Sequence, residues 1–210
     1  MRANYIIAAV LALILVLFGV GAYAYNAYEQ NKISNEIDYL LIRDYSYVSG
    51  NKNADVTVVE FFDPMCAACV NISPIVAKLP EKYPGQVRVV YRALAYHSGS
   101  DIILSLLEAA KEQGKFEEAM AAFNMYYRSW YANNRLNNLV AWGVLEQIGV
   151  DIKRVRMFLD ENQAIINEQL KQNLEDSVKL GVNETPTFFI NKKVVKSSNI
   201  TKEIEALLAQ

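Results

Sequence analysis

Cys66 and Cys69 are the only cysteines of this 210-residue chain, and two alanines separate them. A Cys-x-x-Cys pair can carry thiol–disulfide exchange: one thiolate attacks a disulfide, and the other resolves the mixed disulfide by attacking the first sulfur. The flanking residues suggest which does which. Val56 to Phe62 is a short, nearly continuous apolar run, as expected of a central strand covered on both faces. Asp63-Pro64 breaks it, since proline disfavours helical geometry in the residue before it but is tolerated at a helix start. Cys66 to about Lys78 then reads as a helix. The unpaired N–H groups and partial positive charge of a helix start favour a thiolate. Cys66 is therefore the expected nucleophile and leaving group, and Cys69, one turn inward, the resolving thiol.

Other uses of the pair are weaker. A staple closing so short a loop constrains the unfolded chain little. A tetrahedral zinc site needs four ligands, and the chain offers two thiols and a single histidine, His97. Cu(I) held by Cys66 and Cys69, with Met65 nearby, is the alternative that survives, because soft sulfur ligands select that ion. Glu60 lies inside the apolar strand six residues before Cys66. A buried carboxyl has a raised pKa and is costly unless paired or used, so Glu60 is expected to carry protons to and from Cys69. His97 follows the next strand in a Tyr-His-Ser-Gly loop and reads as a surface or capping group.

Three stretches carry a resemblance. Val58 to Asp63 reads Val-Val-Glu-Phe-Phe-Asp before the cysteines; Gln113-Gly114-Lys115-Phe116 lies mid-chain; Glu184 to Asn191 reads Glu-Thr-Pro-Thr-Phe-Phe-Ile-Asn. Over residues 50–210 the chain resembles the DsbA-like branch of the thioredoxin superfamily. The resemblance implies an α/β thioredoxin fold interrupted by an all-helical insertion. It implies a cis bond at Pro186 facing the cysteines, with Thr185 offering backbone groups to an extended substrate strand. Met65, Ala67 and Ala68 complete the positions expected to meet substrate. It also implies cysteine-containing client proteins, a DsbB-like membrane redox partner, and no cofactor beyond the redox-active disulfide. One departure matters: the strongly oxidising pattern has Pro-His between the cysteines, whereas this chain has Ala67-Ala68. A histidine there stabilises the thiolate and so the reduced form; its loss predicts a weaker oxidant than that pattern, and leaves a specialised oxidase, a disulfide isomerase or a reductase of the same fold as the readings.

The rest of the chain positions this centre. Ala3 to Tyr28 contains no charge, and Tyr5 to Tyr25 is almost wholly apolar. About 20 residues of helix span a bilayer core, so residues 1–28 read as a single-pass membrane anchor. Ala22-Tyr23-Ala24 also fits a signal cleavage site. Arg2 weakly favours a cytoplasmic N-terminus. The catalytic part would then face the periplasmic or extracytoplasmic side of an inner membrane, where disulfides persist. Residues 29–54 read as a tether with one packed strand or helix. Beyond Arg2, 20 Lys and Arg face 23 Asp and Glu, so there is no basic field to attract nucleic acid. Residues 55–98 and 181–210 are assigned to the thioredoxin-like domain and 99–180 to the helical insertion, in a chain expected to be a monomer. Within the insertion, Ser100 reads as the cap of a helix to Gln113, Phe116 to Tyr131 as one helix, and Asp151 to Leu180 as two.

Overall fold

The computed structural model describes residues 2–209, with side chains described from residue 15. The chain divides into two compact units, Met1–Tyr39 and Leu40–Gln210. Residues 2–39 of the first unit lie within helix α1, Arg2–Leu41. At 1.5 Å rise per residue this helix is about 60 Å long. Leu15, Leu17, Phe18 and Val20 are exposed along it. Among the described residues no helix is long and apolar enough to cross a membrane. The first half of the run on which the anchor expectation rests, up to residue 14, lies outside the described side chains.

The second unit is built on one mixed sheet. Its strands are β1 (Tyr47–Gly50), β2 (Val56–Phe62), β3 (Val87–Ala93), β6 (Thr187–Ile190) and β7 (Lys193–Val195). Among the described residues they run in the order β1-β3-β2-β6-β7. The apolar run Val56 to Phe62 thus lies at the centre, with Val58 and Phe61 fully buried. It pairs in parallel with β3, Val56 opposite Val87 and Phe62 opposite Ala93. The crossover between them consists of α2 (Ala67–Ala77) and α3 (Leu79–Lys82). On its other side β2 pairs antiparallel with β6, Phe61 opposite Thr187. The β6–β7 hairpin turns at Asn191 and Lys192, both at positive φ, as a two-residue turn matching strand twist requires. Helix α9 (Ile200–Leu208) follows, burying Ile200 and Ile204.

Between β3 and β6 come α4 (Ser100–Lys111), α5 (Phe116–Met125), α6 (Tyr127–Trp130), α7 (Asn138–Gln147) and α8 (Ile152–Lys179). The packed element expected within residues 29–54 is strand β1, defined by its pairing with β3. Three sequence expectations change in the insertion. The insertion is not wholly helical: β4 (Tyr131–Ala132) and β5 (Arg135–Leu136) form a small hairpin turning at Asn133 and Asn134, both left-handed. Helix α5 stops at Met125, without a Gly or Pro to announce it. Helix α8 is a single 28-residue element capped by Asp151, whose side chain accepts from the Lys153 and Arg154 N–H groups.

A buried ionic cluster ties the start of this unit to its far end. The fully buried Arg92 of β3 donates to Asn173 Oδ1 at 2.8 and 3.1 Å and to Asp176 Oδ2 at 2.7 Å. It also donates to the Leu40 carbonyl. Arg43 donates to Asp176 Oδ2 at 2.8 Å. Burial alone would raise the Asp176 pKa, but hydrogen bonds from Arg43 and Arg92 outweigh it and hold the carboxyl below its usual range. Asp176→Ala leaves Arg92 buried without its carboxylate. We expect a loss of about 3–5 kcal/mol in chemical denaturation, the usual result of removing one partner of a buried ion pair.

Candidate active site

The centre begins where β2 stops. Asp63-Pro64-Met65-Cys66 is a turn in which the Cys66 N–H donates to the Asp63 carbonyl at 3.0 Å. Proline second and aspartate first are the residues such a turn favours. The Asp63 side chain reinforces it by accepting from the Met65 N–H at 2.8 Å. Cys66 is the N-cap of α2, at φ −78° and ψ 115°. The first intrahelical bond, Val70 N–H to the Cys66 carbonyl at 3.1 Å, leaves the N–H groups of the first turn unpaired within the helix.

The two thiols, both free, differ in environment. Cys66 is half-buried and Cys69 buried. Burial pushes the Cys69 thiol well above its ordinary pKa; the Cys66 and Glu60 charges push the same way, and the Asp63 backbone N–H opposes them. Ala67 and Ala68 are exposed beside Cys66. Because β6 lies next to β2, the segment before it reaches the cysteines: the Cys66 thiol donates to the Thr185 carbonyl at 3.2 Å. The Thr185-Pro186 peptide bond is cis.

Glu60 is 1% exposed, and its Oε2 has no hydrogen-bond partner. Burial raises its pKa from 4.5 to about 8. A carboxyl that is still protonated near neutral pH and electrostatically coupled to Cys69 can exchange protons with the resolving thiol.

Met65 corrects the sequence reading. Expected to meet substrate, it is 2% exposed, packed in the core cluster with Cys69 and Phe62. Its side chain is pressed against Gly99, where an added Cβ would come within 3.0 Å of Met65 Cε; Gly99 also sits at φ +93°. Of the three positions, only Ala67 and Ala68 are exposed.

Two residues of the centre escaped the sequence reading. Asp63, taken only as a strand breaker, is fully buried with both oxygens engaged. Oδ1 accepts from Met65 N–H and from Ser100 Oγ at 2.6 Å. Oδ2 accepts from the backbone N–H groups of Tyr96 and His97 at 2.8 and 3.0 Å and faces His97 Nδ1 at 2.9 Å. Asp63 thus joins the loop before Cys66 to the loop after β3. His97 keeps its surface position, 43% exposed, but is tied to this carboxylate. Ser100 does not cap its helix; Gly99 occupies the N-cap. The only sequence signal for Asp63 was the Asp-Pro pair itself. The second missed residue is Tyr127. Its neighbours Phe123 and Trp130 are buried core residues, but the Tyr127 hydroxyl donates to the Met65 carbonyl at 2.8 Å. Burial and the neighbouring Tyr131, Cys66 and Asp63 raise its pKa, so it remains a donor.

Residues 43–210 match a family model described as Thioredoxin. The chain belongs to that family. Its structural neighbours share the thioredoxin-like fold. A thioredoxin-like oxidoreductase from Silicibacter pomeroyi is 25% identical, with a TM-score of 0.68 over 82% of this chain and 98% of that one. The thiol–disulfide exchange protein alpha-DsbA2 of Wolbachia pipientis, 17% identical, shares the fold with a TM-score of 0.70 over 85% of this chain and 98% of its own. Curated relatives include the sodium–proton antiporter NhaA of Herminiimonas arsenicoxydans, 27% identical over 79% of this chain and 25% of the antiporter. The NhaA 3 antiporter of Salinispora tropica is 30% identical over 70% of this chain and 22% of its own. The chain spans about a quarter of the length of these curated relatives.

Proposed function

We propose that this protein exchanges a Cys66–Cys69 disulfide with cysteines of exported client proteins, acting as a DsbA-like oxidase tethered to the inner membrane by its N-terminal helix. The observation that carries the reading is the asymmetry of the pair. Cys66 stands half-buried at a helix start, its sulfur 3.2 Å from the Thr185 carbonyl, while Cys69 is buried behind it beside the protonated Glu60.

The proposed cycle starts from the disulfide. A client thiolate attacks the Cys66 sulfur, forming a mixed disulfide and releasing Cys69 as thiolate. Cys69 takes a proton from Glu60, which its elevated pKa favours. A second client thiolate attacks the client sulfur of the mixed disulfide, and Cys66 leaves as thiolate. The client gains a disulfide and the protein two electrons, which a DsbB-like membrane partner would remove. Thr185, next to Cys66, would pair with the client backbone, and Ala67 and Ala68 would meet its side chains. Ion transport forms no part of this proposal, since the antiporters share only a quarter of their length with the chain.

The test is oxidation of a dithiol peptide by the oxidised full chain, followed by loss of peptide thiols. Stoichiometric disulfide formation supports the reading; no oxidation together with tight Cu(I) binding would favour the copper-binding alternative instead. Restoring the missing histidine refines it: Ala68→His is expected to raise the reduction potential by stabilising the Cys66 thiolate. An unchanged or lowered potential would refute the assignment of the Ala-Ala dipeptide as the cause of a weaker oxidant.

A further inference from the structure

The residue before the nucleophile is held from two directions. The peptide unit joining Met65 to Cys66 offers one carbonyl and one N–H. The carbonyl accepts from the Tyr127 hydroxyl at 2.8 Å, and the N–H donates to the Asp63 carbonyl at 3.0 Å. The preceding unit is fixed as well, its Met65 N–H bonded to Asp63 Oδ1 at 2.8 Å. The Met65 side chain cannot swing out, being buried against Gly99. Of these hydrogen bonds, only the one from Tyr127 comes from the helices inserted between β3 and β6 (62 residues further along the chain); those of Asp63 belong to the turn itself.

We propose that Tyr127 is a positioning residue for thiol–disulfide exchange, through which the helical insertion sets the orientation of Cys66. This rests on the exchange function proposed above. The 65–66 peptide, held at both its carbonyl and its N–H, anchors one side of the Cys66 N–Cα bond, and the bond from Val70 N–H to the Cys66 carbonyl anchors the other. The two anchors together set the Cys66 backbone, and with it the direction in which Cα–Cβ carries the sulfur toward the first turn of α2 and the Thr185 carbonyl. Held there, the thiolate is pre-oriented for in-line attack; released, it explores unproductive directions. The hydroxyl is neutral and touches a carbonyl rather than sulfur, so it acts on geometry and not on charge. The surrounding rings, Trp130 at 5.4 Å and Tyr131 at 5.6 Å from the Tyr127 ring, hold the side chain in place without the hydroxyl.

Tyr127→Phe keeps those ring contacts and removes only the bond to Met65. The experiment follows the reduced full chain with oxidised glutathione as probe: the Cys66 thiolate attacks one glutathione sulfur, forming a mixed disulfide and expelling glutathione thiolate. The rate is measured from pH 5 to 9, with melting temperature alongside. Losing one net hydrogen bond from the reactive geometry should lower the high-pH plateau roughly fivefold. The midpoint of the profile and the melting temperature should stay where they are. Tyr131→Phe, which removes the adjacent hydroxyl, should react like the wild type. A wild-type plateau in Tyr127→Phe would overturn the proposal, as would equal slowing in both variants. A wild-type chain inert toward the probe, with Cys66 and Cys69 shown by alkylation to be free, would instead overturn the exchange function itself.

Discussion

Replacing Cys66 by serine is expected to abolish exchange altogether, while Cys69→Ser should trap it half-way. The asymmetry follows from position. Cys66, at the helix start and half-buried, is the sulfur a client can reach; a serine hydroxyl there neither forms a disulfide nor ionises near neutral pH. Cys69 is buried, and its thiol holds its proton tightly. Without Cys69, a client disulfide attacked by Cys66 yields a mixed disulfide that has no internal thiol to resolve it. Non-reducing electrophoresis after mixing reduced Cys69→Ser protein with a peptide disulfide should show a stable adduct, and Cys66→Ser none. Adducts on Cys69 in the Cys66→Ser protein would reverse the assignment of roles. Full exchange by both variants would remove the cysteines from the function.

The second large effect concerns Glu60 and has a defined sign. Its pKa rises from 4.5 to about 8 on folding, because burial disfavours the charged form. Below the unfolded value both states are protonated and the group leaves stability untouched. Between the two values the unfolded chain releases the proton and the folded chain keeps it, so stability falls as pH rises. The loss amounts to about 5 kcal/mol and levels off above the folded pKa. Glu60→Gln cannot ionise. Comparing urea midpoints of the two proteins at pH 5 and 8.5 isolates the carboxyl: the variant should gain on the wild type as pH rises. A difference independent of pH would contradict the buried, protonated state. The same substitution should slow proton-coupled resolution at Cys69 roughly tenfold or more, since general acid–base groups contribute at least that much.

The parts of this centre readable from sequence were those that local pattern dictates. An unbroken Val-Thr-Val-Val-Glu-Phe-Phe run can only be a covered strand, so the burial of Glu60 followed from its neighbours. Asp-Pro closes that strand and opens a helix, which put Cys66 at a helix start. The approach of Thr185-Pro186 to Cys66 came only with the resemblance, because it depends on β6 pairing beside β2 across more than a hundred residues. Asp63 and Tyr127 escaped for a related reason. Asp63 gains its role from partners at positions 96, 97 and 100, and Tyr127 from a carbonyl, and no spacing marks either. Met65 was misplaced because an apolar residue before an exposed cysteine can point either way, and Gly99 packs against the inward one. The Asn133-Asn134 turn and the end of α5 at Met125 escape because neither contains Gly or Pro, whereas α8 is one helix because nothing in it breaks a helix.

The most direct test of the whole account is the reduction potential of the Cys66–Cys69 pair. The full chain would be equilibrated in graded glutathione buffers, its thiols alkylated, and the fraction oxidised read by mass. The account predicts a single two-electron transition, below the strong-oxidant end near about −120 mV because Ala67-Ala68 lacks the histidine, and above the reductant end near about −270 mV. A pair that remains dithiol across that whole range would contradict it.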